Sequence, residues 1–189
     1  MAPKFILIHF CFFLSEFFST NDAFSATLYL SPSSGTYGQG STLKVNIYTN
    51  TQGDLINAIQ ANLSYPQNKL QFLNISTGGS VFSIFGEKVG GGGVVKIAGG
   101  NPISFTGTKF IASVYFKVLT NIGSATLKFL EDSAVVRSLD NINVLNTTLP
   151  ATFNFTEKVA EITPEVTEGL KPPKISEVKV ENLGKKAQL

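Results

Sequence analysis

The stretch Asn57-Ala-Ile-Gln-Ala-Asn-Leu-Ser-Tyr-Pro-Gln-Asn-Lys-Leu-Gln-Phe72 decides the fold. Its first half alternates strictly. Ile59, Ala61, Leu63 and Tyr65 fall on one side, and Ala58, Gln60, Asn62 and Ser64 fall on the other. A period of two over this length predicts a half-buried β-strand. Pro66 ends it, because proline has no N–H to give to a ladder. Gln67, Asn68 and Lys69 make a polar turn, and Leu70 and Phe72 restart an apolar run.

The same grammar extends in both directions. Thr27 to Ser31 is a short strand with Leu28 and Leu30 inward, and Pro32 to Gly40 reads as turn. Leu43, Val45 and Ile47 alternate with Lys44, Asn46 and Tyr48. Downstream, Val81 to Phe85 is a short apolar piece, the glycines from Gly90 to Gly93 close a hairpin onto Val94 to Ala98, and Gly99 to Gly107 reads as a long turn. Phe110, Ala112, Val114, Phe116 and Val118 share one face, with Ser113, Tyr115 and Lys117 on the other. Ala125, Leu127 and Phe129 form a further strand, Ser133 to Val136 and Asn141 to Leu145 are short pieces, and Ala151 to Phe155 closes the domain. No window repeats with a helical period. The expectation is an all-β protein, an antiparallel β-sandwich of about eight to nine short strands in two packed sheets over residues 27–156. Each inward aliphatic or Phe side chain contributes roughly 1.5–3 kcal/mol on burial, enough in sum for the domain to stand alone as a monomer.

Composition narrows the function classes. Charged residues are 15% of the chain and the net charge is +2. The basic residues are scattered singly, without the stripe that nucleic acid requires. The glycine run is not followed by Lys-Ser or Lys-Thr, so it is not a phosphate loop. Lys4 followed by the apolar run Phe5 to Leu14 and small residues at Ala23, Ser25 and Ala26 has the pattern of a secretory signal peptide over residues 1–25. His9 and Cys11 are the only histidine and cysteine, so the processed chain is expected to hold neither. Histidine bases, thiol nucleophiles, disulfides and His/Cys metal sites are then excluded. Asp54, Glu87, Glu131, Asp132 and Asp140 are the sandwich's acids. They fit neither a glycosidase pair about 5–9.5 Å apart nor a calcium loop. No enzyme activity, catalytic residue, metal or cofactor is expected.

From Glu157 the composition shifts to Glu, Lys, Thr and Pro, which reads as a linker over residues 157–173. Residues 174–189 alternate again. With Pro172-Pro173 before them they resemble the first strands of a fibronectin type III domain, as in the front end of a longer multidomain protein. Membrane attachment is expected only through an anchor beyond Leu189.

Residues 27–156 resemble a cohesin domain, the receptor module that binds dockerin domains in cellulosome-type assemblies. The resemblance rests on Gly38-Gln-Gly-Ser, Ala61-Asn-Leu-Ser-Tyr-Pro, Lys69-Leu-Gln-Phe, Phe110-Ile-Ala-Ser-Val-Tyr-Phe-Lys-Val and Gly123-Ser-Ala-Thr-Leu-Lys-Phe, in the family's order. It implies a jelly-roll sandwich, related to those of carbohydrate-binding modules, whose partner meets the outward face of the Ala58–Ser64 strand. The family's acidic contact falls at Gln60 and its Asn contact at Ala58, and neither residue type is kept. The Asp that follows the family's Tyr is also missing, since Pro66 follows Tyr65 directly.

Three functions are open at this stage. A protein-docking face would use Ala58, Gln60 and Asn62, with Ser113 and Tyr115 on a strand whose neighbour is not specified, and would take a dockerin-like module within a polysaccharide-degrading assembly. A carbohydrate-binding module would stack a polysaccharide on Tyr29, Tyr48 and Tyr115, which alternation turns outward. A structural or adhesive surface domain would need no discrete ligand. All three place the protein outside the cell, at its surface. Asn62, Asn74, Asn146 and Asn154 each begin an Asn-x-Ser/Thr triplet.

Overall fold

The computed structural model describes residues 25–157. The expected signal peptide, the linker and the fibronectin-like segment lie outside the described residues, apart from Ser25 and Glu157 at their borders. Twelve strands occupy the described part: β1 (Ala26–Ser31), β2 (Ser34–Gly38), β3 (Thr42–Asn50), β4 (Ile56–Ser64), β5 (Leu70–Ser76), β6 (Ile84–Gly91), β7 (Val94–Phe105), β8 (Thr108–Val118), β9 (Ser124–Phe129), β10 (Ala134–Arg137), β11 (Leu145–Leu149) and β12 (Ala151–Thr156). One sheet runs β11-β1-β3-β8-β5. The other runs β2-β12-β9-β4-β7-β6, with β10 also paired to β4.

The all-β sandwich is as the alternation predicts, with two refinements. The sheets are mixed, because β1 pairs with β11 and β2 with β12 in parallel. Extra strands also appear where turn residues dominate. β2 runs through Ser-Gly-Thr-Tyr-Gly, β6 continues to Gly91, and β7 continues through Gly99-Gly100 to Phe105. These segments lack apolar alternation. They are strands because their backbone groups complete a neighbour's ladder.

Between the sheets lies the core. Leu28, Leu43, Val45, Ile47, Ile59, Ala61, Leu63, Val95, Ile97, Val114, Phe116, Leu127 and Phe153 are all buried there. β8 departs from strict alternation. Its pairing with β3 shifts between Ile47 and Tyr48, so Ile111 turns into the core and Phe110 pairs with Tyr48 instead of pointing inward. A bulge of this kind re-aims the residues beyond it by one position.

The glycine run does what its spacing suggests. Gly91 pairs with Val94, and Gly92 (φ 60°) and Gly93 (φ 86°) form the loop between them. Two successive positive φ values make the tight turn that matches strand twist. Gly90 has a different task. A Cβ there would lie 2.4–2.6 Å from the Phe72 ring.

Gly90→Ala is therefore expected to destabilise the domain by about 1–3 kcal/mol. Gly86→Ala, where a Cβ meets nothing within 4 Å, is expected to be neutral or stabilising by up to about 1 kcal/mol. Urea denaturation of the two variants checks the pair.

Candidate functional site

β4 is the strand to build from. β7 pairs with it along its length. On its other side the neighbour changes, β10 pairing with Ile56–Gln60 and β9 with Leu63 and Ser64. With Ile59, Ala61 and Leu63 turned into the core, Ala58, Gln60, Asn62 and Ser64 face outward beside residues of the adjoining strands, whereas Ile56, beyond the register shift at Asn57, is in the core. One outward row reads Val136, Ala58, Gly100, Ile84, and the next Ala134, Gln60, Ala98, Glu87. Gly86 is the residue skipped where the β6–β7 pairing shifts. Most of this floor is Ala or Gly, so the sheet surface is concave rather than flat. The resulting groove has a volume of about 540 Å³, lined also by Asn57, Asn101 and Pro102. No ionisable side chain lines it.

Gln60 and Asn62 are committed within the domain. Where the neighbour of β4 changes, the turn Leu130–Ser133 lies over the strand. Gln60 Nε2 donates to the Asp132 carbonyl at 3.0 Å, and Asn62 Nδ2 donates to Asp132 Oδ2 at 2.8 Å. The Ser133 hydroxyl donates to the Asn62 carbonyl and accepts from its N–H, each at 3.2 Å. Asn62 is left 1% exposed. Alternation told which face Asn62 is on, but nothing in a period-two pattern shows what lies above it. The Asn62-Leu-Ser triplet is correspondingly shielded, whereas Asn74, Asn146 and Asn154 are exposed. The Oδ1 atoms of Asn57 and Asn62 are buried without a hydrogen-bond partner.

Ser113 and Tyr115 do not join this face, because β8 belongs to the opposite sheet. Ser113 is buried and its hydroxyl donates to Asn46 Oδ1 at 2.7 Å. The Lys44 ammonium stands 5.8 Å from the centre of the Tyr115 ring. Tyr29 and Tyr48 are on the same sheet as Tyr115, stacked on each other with centroids 5.4 Å apart and planes 15° from parallel. Phe110 meets Tyr48 edge-on at 5.5 Å. A sugar ring needs an open aromatic face, and Tyr48 has an aromatic neighbour on either side. Tyr115 lies two rows away, opposite Lys44.

At one end of the groove Arg137 closes β10. Its guanidinium binds Asp140 at 2.7 Å and lies 3.6 Å from Asp54. The Arg137 hydrogen bond holds the Asp140 carboxyl below its ordinary value of 3.8. Among the described residues no three His, Cys, Asp or Glu side chains gather as a metal cluster.

Asp132→Ala removes the acceptor that satisfies the buried Asn62 amide, and is expected to cost about 1–3 kcal/mol in urea denaturation. A depressed folded pKa means the Asp140–Arg137 contact stabilises above the unfolded value and is lost as pH falls through the folded one. An NMR titration should place the Asp140 midpoint below 3.8, and Arg137→Gln should move it upward.

Comparison with known proteins bears on fold. No family model matches the chain and no curated protein matches it. Solved structures do. The seventh ScaB type I cohesin from Pseudobacteroides cellulosolvens superposes with a TM-score of 0.60 at 15% identity, over 70% of this chain and 93% of that one. The third ScaB cohesin of Ruminococcus flavefaciens, solved in complex with a group 1 dockerin, gives 0.56 at 12% identity, over 70% and 96%. A non-cellulosomal cohesin from the hyperthermophilic archaeon Archaeoglobus fulgidus gives 0.54 at 22% identity, over 70% and 91%. The described domain has the fold of cohesin modules.

Proposed function

We propose that this domain is a secreted, non-catalytic docking module whose β10-β4-β7-β6 face receives a dockerin-like module of a partner protein. The observation that carries the reading is the groove itself. It lies on the outward face of β4, the strand through which the cohesin resemblance places the partner, and its floor is kept small and uncharged. The dockerin bound to the Ruminococcus flavefaciens cohesin supports the class of partner. A role at the cell surface, in an assembly that degrades polysaccharide, is part of the same reading. Direct sugar binding through Tyr29, Tyr48 and Tyr115 has less support, because two of the three rings are packed against one another.

The test is calorimetric titration of the chain from Ala26 onward with dockerin modules secreted by the source organism. We expect one-to-one binding by at least one module. Ala98→Arg should weaken it roughly 100-fold, about 2.7 kcal/mol, and Tyr115→Ala should leave it unchanged. Retention on insoluble cellulose, xylan or chitin, abolished by Tyr115→Ala and with no dockerin bound, is the result that overturns docking.

A further inference from the structure

We infer that the domain holds a second binding site, on the side where the edges of its two sheets meet, for one or two rings of a neutral saccharide. β5 and β6 are the last strands of their sheets, and Phe72 of β5 lies against Gly90 of β6. Beside that contact is a pocket of about 470 Å³, within the size range of small-molecule sites. Tyr65, Leu70, Phe72 and Leu119 supply its carbon surface, and Gln67 and Gln71 its side-chain amides. It shares no lining residue with the groove, and Tyr29, Tyr48 and Tyr115 do not belong to it.

The polar groups at this pocket are unengaged. The Gln67 and Gln71 side chains are exposed, and their amides make no hydrogen bond within the domain. The Tyr65 ring is packed on Phe116, but its hydroxyl is open to solvent and also has no partner. Gly91 and Gly92 are exposed and carry no side chain, so the main chain of the turn is within reach of a ligand. Amide, phenol and peptide groups both donate and accept, as a sugar hydroxyl does. Phe72, half-buried, and Leu119, 39% exposed, offer carbon surface for the C–H face of a sugar ring.

The same residues decide against other occupants. No lining side chain is a carboxylate, an ammonium or a guanidinium. Lys69 donates to the Ser124 carbonyl at 2.7 Å, and Lys117, opposite Gln71, is not among the lining residues. A carboxylate or phosphate brought here would lose water without gaining an ion pair. An extended peptide is what a free sheet edge otherwise takes. Both edges are interrupted, β6 by the shift between Phe85 and Glu87 and β5 by the shift between Phe72 and Asn74. Such a bulge disrupts the ladder that an added strand needs.

The probes are cellobiose, xylobiose, diacetylchitobiose and digalacturonate, each titrated into the chain from Ala26 onward while its amide NMR spectrum is recorded. At least one neutral disaccharide is expected to bind with a Kd of about 1 mM. It should move the amide signals of Gln67, Gln71, Gly91 and Gly92 and leave those of Ala98 and Gly100, in the groove, where they are. Gln67→Ala together with Gln71→Ala should weaken binding roughly ten-fold, and Tyr65→Phe, which keeps the ring on Phe116, roughly three-fold. Tyr115→Ala should change nothing, and digalacturonate should bind no more tightly than the neutral sugars. If no neutral sugar moves these amides, or if binding survives both sets of substitutions, the inference is overturned. Tighter, salt-sensitive binding of digalacturonate also overturns it, in favour of an anionic ligand. So does a Val-Thr repeat peptide that shifts amides along β6 from Ile84 to Gly91 where no sugar does. The docking reading stands or falls separately, since the dockerin titration reads the groove.

Discussion

Tyr65 packs against Phe116 with ring centroids 4.9 Å apart, and the two sheets are joined there. Phe116 is fully buried near the end of β8, flanked by β3 and β5. Tyr65 ends the inward row of β4, and Pro66 immediately turns the chain across the sandwich to β5, which pairs with β8. Once Tyr65 is inside, Leu63, Ala61 and Ile59 must be inside as well, because a slip of one residue would put the whole set in water. The outward residues of β4 are then settled without any choice of their own. The groove is the reverse side of a packing constraint.

The clasp over Asn62 extends that constraint sideways. β4 cannot keep one neighbour along its left flank, since β9 serves one end and β10 the other. The chain between them bulges out of the ladder beside Asn62, and the interruption leaves backbone and amide groups to be satisfied. Asp132 and Ser133 meet most of this demand, leaving the Asn62 Oδ1 alone. The same turn delivers β10, and β10 carries Ala134 and Val136 into the groove. A polar contact within the domain thus sets the shape of the surface a partner would meet.

Much of this was legible in the sequence where side chains alternate. β1, β3, β4, β9 and β12 follow from their apolar spacing, and the glycine hairpin follows from Gly92 and Gly93. β2 and the second half of β7 were not legible. Their residues are mostly Gly, Ser, Asn and Pro, and they are strands only because of the ladder beside them. The site was half legible. Ala58 and Gln60 are on the groove, but Ser113 and Tyr115 are on the other sheet, because β4 and β8 share an alternating pattern and nothing in it says which strands pair. The bulge at Ile111 was hidden for a related reason. Phe-Ile-Ala-Ser reads equally well in either register, and the choice belongs to β3.

The smallness of the groove floor has two origins, and separating them bears on function. Gly99 and Gly100 are required by packing, since a Cβ at Gly99 would lie 2.6 Å from Phe82 and one at Gly100 2.5 Å from the Asn57 carbonyl. Gly86 is not, because a Cβ there meets nothing within 4 Å. Ala58, Ala98 and Ala134 likewise project from the outer side of the sheet, where the core imposes no limit on size. Sheets facing water commonly carry charged or long polar side chains on that side, which protect them from sticking. Here the groove floor lacks that protection, with Glu87 and Lys96 only at its border, while the outer face of the opposite sheet has Lys44, Asn46 and Lys117. Small, apolar and unguarded positions that the fold does not demand are what a surface shaped for another molecule would retain, and they lie together on β10, β4, β7 and β6, around the strand whose orientation the core dictates.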